Sequence, residues 1–97
     1  TGYLKKLAKK SKWNWKKRYF ILQPNQLSYY ENNKITATTK LKGEIRITPQ
    51  STVKSDIYNK KTGYHFIFTN QWESLTLSSS SDSDRSQWIL TIQSVIN

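Results

Sequence analysis

A chain of 97 residues makes one domain with room for one modest core. It has no Cys, which excludes disulfides and Cys-based zinc sites, and no apolar run approaches the length of a bilayer-spanning helix. The formal net charge of +10 points to polyanionic partners, lipid or nucleic acid.

The charge is unevenly spread. Residues 1–18 hold Lys5, Lys6, Lys9, Lys10, Lys12, Lys16, Lys17 and Arg18, half of the 16 cations, and no acid. Residues 73–97 carry Glu73, Asp82 and Asp84 against Arg85. The chain opens at Thr1 without a Met, a basic leader or an apolar leader, so a single domain excised from a larger protein is expected.

Short segments rich in β-branched and aromatic residues, separated by turn signals, read as strands. Gly2–Ala8 is the first, followed by the basic loop Lys9–Asn14 and a second strand over Trp15–Leu22. Gln23-Pro24-Asn25-Gln26 is a turn, Leu27–Glu31 a third strand, and Asn32-Asn33-Lys34 breaks it. Leu41–Ile47 and the weaker Thr52–Asp56 are strands four and five, and Asn59–Gly63 is a loop. Tyr64–Thr69 and Ser74–Ser79 are strands six and seven, joined through Asn70–Trp72.

The period then changes. Trp88, Ile92, Val95 and Ile96 recur as one helical face. Ser81 stands three residues before Asp84, an N-cap with an acid in the first turn, so a helix is predicted from about Asp82 to the end. The expected fold is mainly β: a seven-stranded, strongly bent antiparallel sheet or partly open barrel, as two near-orthogonal sheets, capped by one C-terminal helix. Trp88 plugs one end, and loops at the other are free to carry function.

Strand alternation then places the charges. Phe20 and Leu22 face inward, and the same face continues through Arg18 to Lys16 toward the hairpin loop. Leu4 faces inward in the first strand, and Lys6 follows it on that face. Lys6, Lys16 and Arg18 are therefore expected to converge at the mouth. Cations gathered in one place repel, which implies a missing anion; Arg offers a planar fork to phosphate and Lys a point charge. Pairing with Glu31 or Glu44 is the competing explanation. Lys5 and Lys17 fall on the other face and read as solvated charge. Trp13, among Lys10, Lys12 and Asn14, is placed to enter a bilayer interface, or else packs on Lys stems. Trp15 reads as structural, and Trp72 has no assigned role.

Catalysis finds no support. His65 is the sole His and lies inside a strand, without the surroundings that a catalytic triad or a metal site needs. No Gly-rich loop precedes a helix. The expectation is no enzyme, no metal and no cofactor.

Gly2-Tyr3-Leu4-Lys5-Lys6 with Trp15-Lys16-Lys17-Arg18-Tyr19-Phe20-Ile21-Leu22 resembles the opening of a pleckstrin-homology (PH) domain. Leu27-Ser28-Tyr29-Tyr30-Glu31 and Lys42-Gly43-Glu44-Ile45-Arg46-Ile47 resemble its third and fourth strands, and Asp84-Arg85-Ser86-Gln87-Trp88 the helix bearing the family's Trp. The likeness covers essentially the whole chain. It implies a phosphoinositide-binding, membrane-recruiting module. Lys6, Lys16 and Arg18, followed by the aromatic pair Tyr19-Phe20, match the family's headgroup-binding pattern, and Tyr29 and Lys42 correspond to further headgroup contacts. The combination is similar to members that recognise 3-phosphorylated inositol lipids. Some of those carry a long insertion between strands six and seven, whereas Asn70–Trp72 is short, so the choice among phosphoinositides stays open. Lys9, Lys10, Lys12 and Trp13 are expected to meet the anionic membrane surface, with Lys60 and Lys61 adding diffuse attraction. The resemblance implies a monomer, cytoplasmic and peripheral at membranes. The alternative is a protein-binding domain on the same architecture, or, with less support, a nucleic-acid-binding one that uses Tyr3, Trp13 and Trp15 as stacking rings.

Overall fold

The structure is a computed structural model, described here for residues 1–96. Seven strands precede one helix: β1 (Gly2–Leu7), β2 (Trp15–Gln23), β3 (Gln26–Tyr30), β4 (Gly43–Arg46), β5 (Thr52–Asn59), β6 (Gly63–Thr69), β7 (Ser74–Ser79) and α1 (Asp82–Ile96). The strands form one antiparallel sheet in the order β4-β3-β2-β1-β7-β6-β5, so β4 and β5 are its two unjoined edges and the barrel stays open.

Alternation builds the core. Phe20, Leu27, Phe66, Phe68 and Leu77 are fully buried on the concave face, where Ile92 of α1 meets them. The helix starts where an oxygen cap is available: Ser81 Oγ accepts the Asp84 amide at 3.1 Å, and the Ser81 carbonyl accepts the Arg85 amide. Asp82 and Asp84 complement the N-terminal dipole. Trp88, Ile92 and Ile96 form its buried stripe. Trp88 closes the end of the sheet at the start of β1, so close that a Cβ on Gly2 would stand 3.3 Å from its indole. The end bearing the β1–β2 loop is left uncovered by the helix.

Two edges depart from expectation. β4 is shorter than Leu41–Ile47, although the Lys42 amide still donates to the Tyr29 carbonyl and the Ile47 amide to the Asn25 carbonyl. β5 runs three residues past Asp56, through an irregularity between Ser55 and Tyr58, and pairs with β6 as far as Asn59 and Gly63. Beyond the irregularity this edge is exposed on both faces, so the sequence there lacks the alternation that marks a half-buried strand.

Candidate functional site

The hairpin β1–β2 sets the site by register. Gly2 stands opposite Phe20, Leu4 opposite Arg18, and Lys6 opposite Lys16. Opposed residues share a face. One face of the hairpin therefore starts in the core at Phe20 and Leu4 and becomes cationic at Arg18, Lys6 and Lys16. β3 continues it: Tyr29 is in register with Phe20 and packs against its ring at 5.2 Å. The Lys6 ammonium lies 5.3 Å from the Tyr29 ring centroid, a cation–π distance. Gly43 is the residue opposite Tyr29 in β4, and any Cβ there would overlap the phenol. The missing side chain is what lets the Tyr29 ring lie over the mouth.

The charges are uncompensated. Among the described residues the ion pairs are Lys9–Glu73 and Arg85–Asp82. Lys6, Lys16 and Arg18 thus have no carboxylate partner, and the pairing with Glu31 or Glu44 does not occur. The Arg18 guanidinium donates only to the neighbouring Lys17 carbonyl, at 3.0 Å. Burial of Lys6 pushes its pKa down, and the nearby charges of Lys9 and Arg18 push it further the same way. Burial raises the Tyr29 phenol, with Glu73 adding to the rise and Lys9 and Arg18 opposing it. The charges of Lys9 and Arg18 thus reach both Lys6 and Tyr29, and that of Glu73 reaches Tyr29. An anion placed among these cations would relieve the repulsion and favour the charged form of Lys6.

The remaining expected residues divide. Lys9 sits with this cluster, its ammonium 3.1 Å from Glu73 Oε1 in the β6–β7 connection. Lys10 and Lys12 are exposed on the loop away from it. Lys16 is exposed, and Lys42 is exposed one residue before β4; the ladder puts Gly43, not Lys42, across from Tyr29. The loop itself is ordered by Ser11, whose hydroxyl accepts the Trp13 and Asn14 amides at 3.1 and 3.0 Å. This turn holds the Trp13 indole out in solvent, 86% exposed, instead of on Lys stems. Trp15 is structural: its ring packs against that of His65, with centroids 4.7 Å apart and planes tilted by 44°. His65 itself is buried, with Nε2 2.7 Å from Thr62 Oγ1.

Glu73 is the residue that sequence reasoning missed. Its place beside Lys9 depends on β7 pairing with β1, with Lys5 opposite Ser78 and Lys6 opposite Leu77. No local motif announces that contact between residues 64 apart. Trp72, next to it, is 68% exposed, and both its amide and that of Glu73 donate to Asn70 Oδ1.

Comparison with known proteins gives a consistent result. The family model described as PH domain matches residues 1–97. The crystal structure of the carboxyl-terminal PH domain of pleckstrin is 27% identical, with a TM-score of 0.79 over 99% of this chain and 94% of that chain. The same domain in complex with D-myo-Ins(1,2,3,4,5)P5 gives 28% identity and a TM-score of 0.80 over 99% and 95%. The solution structure of the PH domain of human KIAA0053 protein is 28% identical, with a TM-score of 0.74 over 98% and 85%. Among curated proteins no match is found.

Proposed function

Because the chain belongs to the PH-domain family, we propose that it is a phosphoinositide-binding module that attaches to an anionic membrane surface. The observation that carries this reading is the trio Lys6, Lys16 and Arg18 on one hairpin face without a carboxylate partner, with Lys6 partly desolvated. Headgroup phosphates fill the space between these cations and the Tyr29 phenol, Lys42 approaches from the rim, and Lys9 turns from Glu73 to phosphate. That a 28%-identical PH domain is known in complex with D-myo-Ins(1,2,3,4,5)P5 supports this class of ligand.

Within the class, 3-phosphorylated inositol lipids are the proposed targets, because the combination of Lys6, Lys16, Arg18 and Tyr29 resembles that of family members which recognise them. Lys10 and Lys12 add attraction of roughly 1 kcal/mol each near an anionic leaflet, and the exposed Trp13 indole enters the interfacial layer. Among the described residues no helix is long and apolar enough to cross a membrane; the proposed attachment is peripheral, on the cytoplasmic side. The module acts by binding and not by catalysis, as a monomer.

Vesicle co-sedimentation tests the reading. Vesicles containing a few per cent of a 3-phosphorylated phosphoinositide should retain the protein, and phosphatidylserine vesicles of equal charge should retain far less. Equal retention by both would reduce the site to unspecific charge.

A further inference from the structure

Trp72 is an aromatic side chain that neither the core nor the cationic face uses. It stands 68% exposed, yet the turn that carries it is firmly held. Asn70 is buried there, and its Oδ1 accepts the Trp72 and Glu73 amides at 2.8 and 2.9 Å. The Asn70 amide donates to the Glu73 carbonyl at 3.0 Å. The turn is also fixed to the β4 edge of the sheet. Asn70 Nδ2 donates to the Arg46 carbonyl at 2.9 Å, and the Thr48 hydroxyl donates to Gln71 Oε1 at 2.7 Å. None of these contacts uses the indole. The fold therefore presents a rigid ring to solvent, the form in which an aromatic anchor loses least entropy on binding.

Between this turn and the outward face of β4 lies an open recess of about 340 Å³, lined by Gln26, Glu44, Arg46, Trp72 and Glu73. Glu44 and Arg46 flank the buried Ile45, so alternation puts both on that face. Neither has an ion-pair partner among the described residues. Glu73 is held by Lys9, which lies outside the lining, and both side chains of that pair are partly exposed, so it exchanges readily. Two of the chain's six acids thus flank one indole, against one guanidinium, in a chain of net charge +10.

We propose that this recess docks an arginine-bearing segment of another protein, with the guanidinium over the Trp72 ring and against Glu44 and Glu73. A guanidinium satisfies an aromatic face and carboxylates at once. Arg46 is left to donate to a carbonyl of the docked segment. The sign of the charge separates this surface from a membrane anchor: an anionic leaflet repels the carboxylates beside Trp72, whereas Trp13 stands among lysines. The recess is open and at the small end of ligand sites, which suits one anchoring side chain of a protein surface. The proposal does not depend on the phosphoinositide reading.

The test is an amide- and indole-resolved NMR titration with a capped glycyl-arginyl-glycine peptide, against the same peptide with norleucine or glutamate in place of arginine, at matched ionic strength. Saturable shifts of the Trp72 indole N–H and of the Gln26, Glu44, Arg46 and Glu73 amides are expected with arginine alone, in the millimolar range that suits one side chain. Glu44→Gln and Trp72→Ala change exposed groups, and each should weaken binding about two- to fivefold; together they should leave no saturable response. Lys9→Ala, which removes the competitor for Glu73, should tighten binding by a similar factor, whereas Lys10→Ala should not. Shifts that are absent, equal with norleucine, or retained by the double variant would overturn the site, and unchanged affinity in Lys9→Ala would overturn the part given to Glu73. The same shifts on raising protein concentration without peptide would assign the recess to a second copy of this chain and overturn the proposed partner. Binding of Trp72→Ala to phosphoinositide vesicles should match that of the parent; a loss there would place the indole in the bilayer and overturn the docking surface.

Discussion

Lys9 Nζ lies 3.1 Å from Glu73 Oε1, which ties the β1–β2 loop to the β6–β7 connection beside the cationic face. Glu73 is the carboxylate whose field reaches Tyr29, so it is the negative charge that an incoming phosphate must compete with. Glu73→Gln should therefore strengthen phosphoinositide binding by about two- to fivefold, the worth of a partly exposed ion pair. The gain should shrink as salt rises. Co-sedimentation at two ionic strengths checks it; unchanged or weaker binding would show that Glu73 organises Lys9 for the ligand instead of withholding it.

Trp88 tests the architecture. It is buried against Gly2 and the core. Trp88→Ala should cost about 3–5 kcal/mol, a large share of what a domain of this size possesses. Thermal melting followed by circular dichroism gives the answer, and a midpoint within a few degrees of the parent would remove the helix from its role as plug.

The hairpin's cations should separate by salt response. Lys10→Ala/Lys12→Ala removes exposed loop charge, and binding to all anionic vesicles should weaken while preference among phosphoinositides persists. Lys6→Ala/Lys16→Ala should abolish that preference with less dependence on salt, because its charges act at contact range. Lys9 is expected to behave with the second group, since its charge reaches both Lys6 and Tyr29. Loss of preference in the loop double mutant would make the whole hairpin one headgroup clamp.

His65 predicts an acid-side stability loss. Burial lowers its pKa, with Arg85 acting in the same direction and Asp56 opposing. The folded state thus prefers the neutral ring. Its contribution is present in full above the ordinary value of 6.5 and is lost as pH falls through the lowered folded value. The melting midpoint should fall as pH drops below 6.5, and His65→Gln, which keeps a partner for Thr62, should flatten that slope. A slope unchanged by the substitution would assign it to the carboxylates.

Much of this was legible in the chain because alternation is local. Leu4 and Phe20 are buried where their spacing placed them, and the same period carried Lys6, Lys16 and Arg18 to one face. Ser81 caps the helix, and Trp88 is buried, as predicted. What stayed hidden depends on long-range register. Glu73 meets Lys9, and Lys60 and Lys61 approach Lys5 and Lys17, only because β7 pairs with β1 and the β5–β6 loop folds back onto β7. Lys42 was readable as a basic residue near the site, but its side of the ladder was not, since it falls just outside β4. The length of β5 was hidden for a different reason: an exposed edge beyond an irregularity leaves no hydrophobic alternation to read.

The account rests most directly on Arg18, which is opposite Leu4 at the boundary between core and mouth and has no carboxylate partner. The decisive measurement is binding of Arg18→Ala to vesicles with and without a 3-phosphorylated phosphoinositide, alongside its circular dichroism spectrum. Loss of a charge-assisted phosphate contact of about 2–5 kcal/mol should abolish the phosphoinositide-dependent fraction while the spectrum stays that of the parent. Undiminished phosphoinositide-dependent binding by the folded variant would contradict the site.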